Sequence, residues 1–352
     1  MVILNQKESS QMSNQPFFTI GLPVYNTAKW VGDCLDSILS QGFEDMEIIC
    51  VDDGSTDNSL EVLNGYASKD NRIRVISREN GGVSRARNTI FYNAQGRYIY
   101  VIDSDDTMCE NVLPQVYDIL CKNNFPDVLH TCCARKTNGE FFPYSWTYPG
   151  DECFDESLTK DERVVMMWLN RGFSIFSATK FIRREFLHRS GVTFSHEYTA
   201  FEDSDFSFQL YRKIDSIVYT DIQSFIYYLP REGSASAKWS AKYFRSMLTQ
   251  WKNFYYNIQF WALSDNIRDK VKDRETEFYR QYRDYPLTVF RELSKDEALE
   301  AVGIIEELFG RQIKQLPAEK GVNGVFHMLF RIIGMQRTSV LLYHYLKLKG
   351  VI

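Results

Sequence analysis

Two aspartates separated by one residue follow an apolar segment of the chain. Residues 98–102 are apolar, and Asp103 and Asp105 come directly after them. Alternate residues at the end of a strand point to the same side, so both carboxylates can face one site. Two close carboxylates repel each other unless a cation or a proton lies between them. Mg²⁺ and Mn²⁺ prefer oxygen ligands and often bridge to substrate phosphates, so the spacing indicates a divalent-cation site, although a solvated polar turn would carry the same residues.

Asp52 and Asp53 begin a second acidic turn, which follows the predicted strand 47–51. Asp and the glycine after it form turns for local backbone reasons, so a simple turn between a strand and a helix also fits. At the mouth of a sheet, however, a carboxylate can accept hydrogen bonds from a ring N–H of a base or from ribose hydroxyls. Tyr25 closes the first apolar segment and offers a ring on which a base can stack.

Gly81 and Gly82 open a segment with helical spacing that carries Arg85 and Arg87. Glycines permit close approach, and the start of a helix favours anions. The two arginines could pair with phosphate or with base carbonyls. The chain has no GxGxxG after its first strand and no GxxxxGK[ST] segment, which argues against a dinucleotide enzyme and against a P-loop protein.

The acidic turns and the glycines are placed by a regular alternation of elements between residue 16 and about residue 130. The predicted strands cover residues 19–24, 47–51, 73–76 and 98–102. The predicted helices cover about residues 30–39, 59–67 and 82–93. Short apolar strands that alternate with helices predict an α/β fold with a largely parallel sheet covered on both faces. Ligands bind outside the carboxyl ends of such strands, where the acidic residues would converge.

In this order the motifs resemble those of the family 2 glycosyltransferases, which have the GT-A fold. The segments that carry the resemblance are Pro23-Val24-Tyr25-Asn26, residues 47–55, residues 82–88 and Asp103-Ser104-Asp105-Asp106. Phe201-Glu202-Asp203 is similar to the catalytic ED pair of that family. A later segment resembles the donor-site closing segment of the family. It contains Tyr227-Tyr228, Arg231, Gly233, Ser234 and Ser236. The resemblance covers about residues 16–240.

The resemblance implies a nucleotide-diphosphate sugar as the donor, with a UDP-sugar expected. Pro23 and Tyr25 would lie against the base, Asp53 would bond it, and Asp52 would support the turn. One of the two arginines at positions 85 and 87 would hold the nucleotide.

The resemblance also implies how the diphosphate is held. Asp103 would lie near the ribose and the diphosphate, and Asp105, with Asp103 beside it, would bind the Mn²⁺ or Mg²⁺ ion. Arg231 and Ser234 would approach the diphosphate once the donor is bound.

For the reaction, the resemblance implies that Asp203 is the general base and that Glu202 assists at the acceptor site. A positioned carboxylate can take the proton of an acceptor hydroxyl, and one direct displacement inverts the anomeric centre. Asp205 is a third nearby carboxylate. In a strand it would share the face of Asp203, and in a helix it would not.

Composition excludes several classes of protein. The 352 residues carry 41 Lys plus Arg against 46 Asp plus Glu, a net charge of −5, and the aromatic content is 15 %. We therefore expect an ordered globular protein without a nucleic-acid partner. The sequence contains no run of about 18 apolar residues, so we expect no membrane-spanning helix. Seven cysteines without a CxxC pair favour a reducing cytoplasm over a disulfide framework. Residues 1–15 are expected to be a loose polar tail.

Several residues outside these motifs have two interpretations. His196 is the histidine that we keep as a candidate near the site, because it lies six residues before Glu202. Tyr144, Trp146 and Tyr148 could line an acceptor groove, or they could anchor a loop or the core.

The last third of the chain, residues 241–352, is predicted to be helical. Residues 320–352 carry five basic residues and no Asp or Glu. The same segment is rich in Phe326, Leu329, Phe330, Ile332, Ile333, Leu341, Leu342 and Leu346. Such helices could lie on an anionic membrane surface, or they could pack on the protein with a basic face towards solvent.

The sequence thus predicts a GT-A catalytic domain over residues 16–240 and a helical region over residues 241–352. The predicted function is that of an inverting, metal-dependent hexosyl- or N-acetylhexosaminyl-transferase with a glycan or lipid-linked acceptor, in the cytoplasm or at the inner face of the membrane. A catalytically silent nucleotide-sugar-binding protein and a nucleotidyltransferase are the alternatives. A homodimer is compatible with the sequence but not determined by it.

Overall fold

The computed structural model describes residues 15–137, 140–144, 150, 153, 155, 157–170, 176–197, 202–229, 240–291, 293–316, 322–349 and 351. Except for residue 15, the predicted polar tail lies outside the described residues. The described residues form two compact units. The first contains those up to 153 together with 170–197 and 202–229, and the second contains those of 155–169 and 240–351. The predicted boundary near residue 240 stays a prediction.

The first unit opens with the predicted alternation of strands and helices. The parallel strands are β1 (Phe18–Val24), β2 (Met46–Asp52), β3 (Ile73–Ser77) and β4 (Tyr98–Val101). The helices between them are α1 (Val31–Leu39), α2 (Ser59–Ala67) and α3 (Val83–Asn93). Each of these bounds lies within one residue of the predicted one, because the apolar spacing that shapes each element is visible in its own sequence.

The sheet continues beyond β4 with strands of mixed direction. They are β5 (Thr107–Met108), β6 (Val128–Thr137), β7 (Glu140–Tyr144), β8 (Lys180–Arg183) and β9 (Ile217–Leu229). Their order after β4 is β8, β6, β9 and β5, with β7 paired to β6. The pair β6 and β9 is parallel, and the other pairs beyond β4 are antiparallel. The α/β fold class is therefore confirmed, with the parallel arrangement concentrated in β1 to β4.

The core of the first unit lies on both faces of this sheet. All seven residues of β1 are buried, as expected for a strand covered by helices on both sides. In α1 the buried residues are spaced as one helical stripe, Val31, Cys34, Leu35 and Ile38. Farther along the sheet, the ring of Tyr100 in β4 stacks on that of Phe181 in β8, with centroids 4.3 Å apart. The packed scaffold leaves the loops at the carboxyl ends of the strands to carry the site.

Three further helices of the first unit are α4 (Val112–Lys122), α6 (Arg184–Ser190) and α7 (Glu202–Lys213). The second unit contains α5 (Lys160–Leu169), α8 (Ala241–Ile258), α9 (Asp265–Val289), α10 (Lys295–Gln315), α11 (Val322–Ile333) and α12 (Met335–Leu348). Its core includes Phe309 and Ile305 of α10 with Phe326 and Phe330 of α11. The prediction that the last third is helical agrees with α8 to α12. In the part of the chain that the structure describes, no helix is both long enough and apolar enough to span a membrane.

Candidate active site

The loop after β1 is tied to the loop after β2 by a set of hydrogen bonds around Asn26. The backbone N of Asn26 donates to Ser55 Oγ at 3.0 Å, and its Oδ1 accepts from the backbone N of Thr56 at 2.7 Å. Asn26 takes φ of 54°, in the left-handed region that asparagine tolerates better than most residues. Thr27 Oγ1 lies 2.9 Å from Ser104 Oγ, so the loop after β4 joins the same network. The carboxyl ends of β1, β2 and β4 therefore form one connected edge, where Tyr25 is exposed.

Gly54 lets two loops meet at this edge. Its φ is +73°, and a Cβ at this position would lie 2.8 Å from the backbone N of Asn80. We expect Gly54→Ala to destabilise the protein by about 2–4 kcal/mol, because the left-handed conformation and a contact with rigid backbone both oppose a side chain. Denaturant unfolding measures this loss.

Gly65 provides the matched control for that substitution. It lies in α2 without positive φ, and no atom comes within 4 Å of the position that a Cβ would occupy there. Gly65→Ala is expected to leave stability unchanged or raise it by about 1 kcal/mol, since alanine favours a helix. Equal effects of the two substitutions would contradict the assigned role of Gly54.

Asp53 holds the glycine loop that precedes α3. Its carboxylate accepts from the backbone N of Gly81 at 3.1 Å and from that of Gly82 at 2.7 Å, and Arg78 Nε lies 3.2 Å from Oδ1. Asp53 is 2 % exposed, so these partners compensate for the burial of its charge. The carboxylate thus fixes the entry of α3 at the same edge of the sheet.

Asp52, the last residue of β2, supports the turn that contains Asp53. Its carboxylate accepts from the backbone N of Ser55 and from Ser77 Oγ, both at 3.3 Å, and its carbonyl accepts from Arg78 N at 3.0 Å. These bonds connect the ends of β2 and β3. Asp52 therefore ties the turn after β2 to the end of β3, and its role in nucleotide binding stays a prediction.

Arg87 brings together Asp103 with Glu202 and Asp203, which follow it 99 and 100 residues later in the chain. Its Nη1 donates to Glu202 Oε1 at 2.6 Å and to Asp203 Oδ1 at 2.8 Å, while Nη2 donates to Asp103 Oδ1 at 2.9 Å. The exposed fractions of the side chains are 3 % for Arg87, 11 % for Glu202, 19 % for Asp203 and 42 % for Asp103. We call these four residues the Arg87 cluster. It joins the turn after β4 to the start of α7.

The electrostatics of the Arg87 cluster follow from three acids that share one buried cation. Burial alone would lower the pKa of Arg87, but the carboxylates of Asp203, Asp103 and Glu202 more than offset it, so this pKa is raised. Burial raises the pKa of Asp203, and Arg87 opposes the shift only in part, since Glu202 and Asp103 add to it. A carboxyl group whose pKa is raised above its ordinary range is suited to proton transfer near neutral pH.

Asp205 does not share the face of Asp203, because both lie in helix α7 rather than in a strand. Its Oδ2 accepts from Gln209 Nε2 one turn later, at 2.6 Å. Burial raises the pKa of Asp205 as well. The helical geometry separates the two aspartates that the sequence left as alternatives.

Two carboxylates could hold a divalent cation at this edge. Asp103 is accessible to solvent, and Asp105 follows it in the turn after β4, half-buried. Among the described residues no three His, Cys, Asp or Glu side chains are grouped so as to hold a metal ion. Mg²⁺ sites often use only one or two carboxylates and take their other ligands from water and substrate phosphates. The oxygen donors of Asp103 and Asp105 fit such a site.

Other predicted residues lie apart from the Arg87 cluster or cannot be placed. Arg85 and His196 are exposed, and Tyr144 lies in β7. Six predicted residues lie outside the described residues: Trp146, Tyr148, Arg231, Gly233, Ser234 and Ser236. Phe201 lies outside them too, although Glu202 and Asp203 after it are described.

Arg78 is a site residue that the sequence reasoning missed. It follows β3 directly, pairs with Asp53 through Nε, and donates from Nη1 to Thr89 Oγ1 at 3.1 Å. A cation just after a predicted parallel strand is the signal that could have identified it, because such positions meet at the ligand-binding edge.

Known proteins share both this sequence pattern and this architecture. The family model described as glycosyl transferase family 2 matches residues 19–191. Glycosyltransferase GlyG of Streptococcus pneumoniae serotype 4 is 31 % identical over 214 residues, which cover 59 % of this chain and 69 % of that protein. The poly(ribitol-phosphate) beta-glucosyltransferase of Bacillus spizizenii is 31 % identical over 222 residues, 61 % of this chain and 32 % of that protein.

Solved structures of similar fold include S. aureus TarS 1–349 in complex with UDP-GlcNAc. The TM-score is 0.64 at 20 % identity, and the match covers 93 % of this chain and 91 % of that one. This likeness and the strand order define an α/β fold of the GT-A type. The chain belongs to the family 2 glycosyltransferases.

Proposed function

We propose that the protein transfers a sugar from a nucleotide-diphosphate donor, a UDP-sugar, to a hydroxyl group of a glycan or lipid-linked acceptor in polysaccharide synthesis, with inversion. The observation that carries the proposal is the Arg87 cluster, in which Asp103 of the strand-end turn and Asp203 of α7 share one arginine. A donor-side acid and an acceptor-side base are thereby held at one site. TarS has been solved with UDP-GlcNAc, and the Bacillus enzyme is named for poly(ribitol-phosphate), which supports this substrate class.

Asp203 acts as the general base in this proposal, and Glu202 assists at the acceptor site. The Asp203 carboxylate takes the proton of the acceptor hydroxyl as its oxygen forms the new bond to the anomeric carbon. The bond from that carbon to the diphosphate breaks with attack from the opposite face, so the configuration inverts. One base suffices, since no covalent intermediate is formed. The placement of Asp203 on Arg87, with its raised pKa, supports this role.

The nucleotide is proposed to bind at the edge formed by the loops after β1 and β2. Tyr25 is exposed there for stacking on the base, whereas Pro23, two residues earlier, is buried in β1 and stays a predicted contact of the base. Asp53 stays a predicted contact of the base, and in this structure its buried carboxylate is bonded to the backbone of Gly81 and Gly82. Arg87 is committed to three carboxylates while Arg85 is exposed, which favours Arg85 as the arginine that holds the nucleotide.

The diphosphate is proposed to bind beside the turn after β4. Asp105 and Asp103 would hold Mn²⁺ or Mg²⁺, and such an ion stabilises the charge that develops on a departing diphosphate. Arg231 and Ser234, outside the described residues, stay predicted contacts of the diphosphate.

A donor panel tests the proposed function. The protein is incubated with Mn²⁺ and a set of UDP-, GDP- and dTDP-sugars, with and without acceptor glycans, and nucleotide release is measured. We expect release from one UDP-sugar that increases with acceptor. Silence across the panel, together with no thermal stabilisation by UDP, would favour a catalytically silent binding protein. Release of pyrophosphate from a nucleoside triphosphate and a sugar phosphate would instead indicate a nucleotidyltransferase.

The second unit carries a surface that we propose contacts an anionic membrane at its cytoplasmic face. One side of α11 and α12 is packed in the helical core, including Phe326, Phe330 and Leu342. The exposed large apolar residues of these helices are Val325, Met328, Ile332, Leu341, Tyr345 and Leu348. They recur at helical spacing, and the basic residues of this segment have no acidic neighbour in sequence after residue 320. Apolar and basic residues together fit anionic lipid.

Vesicle sedimentation tests this surface better than a deletion would, because removing residues 320–352 would also remove core residues such as Phe330. We expect the protein to sediment with phosphatidylglycerol vesicles and not with phosphatidylcholine vesicles. The double substitution Ile332→Glu with Leu348→Glu should weaken binding at least about tenfold, since each buried aliphatic side chain contributes about 1.5–3 kcal/mol.

Tyr92→Glu is the matched control for the vesicle experiment. Tyr92 is a large exposed residue of α3 in the first unit, so its replacement should leave lipid binding unchanged. Equal sedimentation of wild type and double variant would contradict the proposed membrane surface. Self-association without lipid binding would assign the surface to a second copy of the chain.

A further inference from the structure

Three buried phenylalanine rings connect helices α3 and α7. Phe194, from the segment between α6 and α7, lies parallel to Phe206 of α7, with ring centroids 4.1 Å apart and an interplanar angle of 8°. Phe91 of α3 lies 5.6 Å from each of these rings, measured between centroids, and all three residues are buried. We call these three residues the Phe194 stack. It joins the helix that carries Arg87 to the helix that carries Asp203.

The guanidinium group of Arg87 packs against the same ring of Phe194. The Cζ atom of Arg87 lies 5.1 Å from the ring centroid, within the distance at which a cation and an aromatic face attract each other. Both Nη atoms of Arg87 donate to carboxylates, whereas its buried Nε has no hydrogen-bond partner among the described residues. The carboxylates therefore hold the guanidinium by its Nη atoms, and Phe194 supports it by packing.

Asn88 holds the backbone of Phe194 in place. Its Nδ2 donates to Phe194 O at 2.8 Å, and its Oδ1 accepts from Phe194 N at 2.9 Å. One side-chain amide thus pairs with both the acceptor and the donor of a single backbone residue, which fixes where that residue lies. Asn88 follows Arg87 directly in α3. The helix that presents the arginine therefore also anchors the ring on which the arginine packs.

The Phe194 stack lies where a small displacement would affect the proposed chemistry. Phe206 comes three residues after Asp203 in α7, about one helical turn away. The Nη1 atom of Arg87 reaches both Glu202 and Asp203 within 2.8 Å, and such bonds weaken steeply when their geometry changes. Flat rings at contact distance are nearly incompressible, so they set the separation of the two helices at this level.

We propose that Phe194, held by Asn88, is a positioning residue of the transfer reaction, whose ring keeps Arg87 aligned with Asp203 and Glu202. Phe194 is 1 % exposed, so it acts through Arg87 rather than by touching the substrate. The inference rests on the proposed role of Asp203 as the base. It extends the catalytic machinery to two uncharged residues behind the Arg87 cluster.

Phe194→Leu tests this role, because leucine keeps the position apolar but removes the flat face on which Arg87 packs. Transfer is measured with the donor identified in the panel, and UDP binding is measured by calorimetric titration. We expect kcat to fall about 10–100-fold, since a misplacement of about 1 Å can cost 10²-fold in rate. The affinity for UDP should stay within about twofold, because Phe194 lies outside the loops after β1 and β2. Asn88→Ala removes both bonds to the backbone of Phe194 and should show the same separation of the two effects.

A double substitution shows whether the effect passes through the proposed base. In an Asp203→Asn background, Phe194→Leu should reduce transfer by less than about a further twofold, because the contact that Phe194 aligns no longer serves a base. A full additional loss in that background would overturn the proposal, since a general structural defect would reduce transfer with or without the base.

A second cycle does not depend on activity. The losses of melting temperature in Phe194→Leu and in Arg87→Met should sum to more than the loss in the double variant, because residues that support each other are coupled. Strictly additive losses would show that the ring does not support Arg87, and they would overturn the proposal. Undiminished transfer by Asp203→Asn alone would be a different result, because it would reject the proposed base while leaving this cycle unchanged.

Phe181→Leu is the matched control for the loss of a buried, stacked ring. Phe181 lies in β8 and stacks on Tyr100, with centroids 4.3 Å apart. Its replacement should lower the melting temperature by about 2–6 °C, as Phe194→Leu should, but leave kcat unchanged.

Asn93→Ala is the matched control for the loss of an asparagine of α3. The Nδ2 atom of Asn93 donates to Thr89 O within the same helix, so its replacement should not change kcat. An unchanged kcat in both Phe194→Leu and Asn88→Ala would make the two residues structural and overturn the proposal. Failure of both of these variants to fold would have the same meaning.

Discussion

Asp203→Asn is expected to reduce sugar transfer by about 10³-fold while leaving the affinity for UDP nearly intact, since a positioned general base contributes about 10²–10⁴ in rate. Asparagine keeps the shape of the side chain and an oxygen that can accept from Arg87, but it cannot take a proton from the acceptor. Arg87 would keep its bonds to Glu202 and Asp103, so the fold should persist. Single-turnover transfer and calorimetric titration with UDP measure the two quantities.

The pH dependence of the wild-type enzyme should carry the signature of the same residue. Burial raises the pKa of Asp203 above the ordinary aspartate value of about 4. The base is active when ionised, so kcat should fall as the pH drops through this raised pKa. The fall of kcat at low pH should consequently be centred well above the pH range in which an exposed aspartate titrates.

Asp205→Asn is the matched control, because Asp205 lies two residues away on the same helix but on another face. It should retain transfer within about threefold, because the substitution affects only the local hydrogen bond from Gln209. A large loss in Asp205→Asn with little change in Asp203→Asn would move the base to Asp205. A large loss of UDP affinity in Asp203→Asn would turn Asp203 into a binding residue.

Arg87→Met should have the largest effect on stability of any substitution considered for this protein. Breaking a buried ion pair by removing one partner costs about 3–5 kcal/mol, because it leaves buried charge without compensation. Here the single guanidinium is 3 % exposed and serves three carboxylates, of which Glu202 and Asp203 are mostly buried. Thermal unfolding should show the loss, and transfer should be abolished because Asp203 and Asp103 are no longer held together.

The stability difference between wild type and Arg87→Met has a predictable sign with pH. At about pH 8 Asp203 is ionised, so the wild type has its ion pair with Arg87 and the variant has an uncompensated charge. As the pH falls towards about 5, Asp203, whose pKa is raised, becomes protonated. The wild type then loses the stabilisation from this ion pair, and the variant loses the penalty of its uncompensated charge. The difference should therefore be larger at the higher pH. A difference that grows on acidification would show that the cluster is not held by charge.

Arg85→Met separates the roles of the two neighbouring arginines. Arg85 is exposed on the same helix, α3, so its loss should leave the melting temperature unchanged and weaken the binding of UDP. A melting temperature lowered as much as in Arg87→Met would show that burial of the guanidinium is not what distinguishes the two positions.

The local part of the fold was predictable from the sequence. The strands β1 to β4 and the helices α1 to α3 were recognised from apolar segments and helical spacing, both of which are properties of neighbouring residues. The acidic turns were placed at strand ends for the same reason, and the parallel sheet followed from the alternation. The mixed strand directions beyond β4 were not predicted, because the pairing partner of a strand such as β8 depends on contacts distant in sequence.

The sequence by itself indicated the family and placed the strand-end acids, and it offered Asp203 as the candidate base with Asp205 as a nearby alternative, since each of these is a short motif with its own local signal. The tertiary structure alone decided that Arg87 serves Asp103, Glu202 and Asp203, and that Arg78 pairs with Asp53. It also decided that Asp205 turns away, through the helical form of α7. The physical reason is that electrostatic energy depends on distance and burial in space, and neither is written in the spacing of residues along the chain.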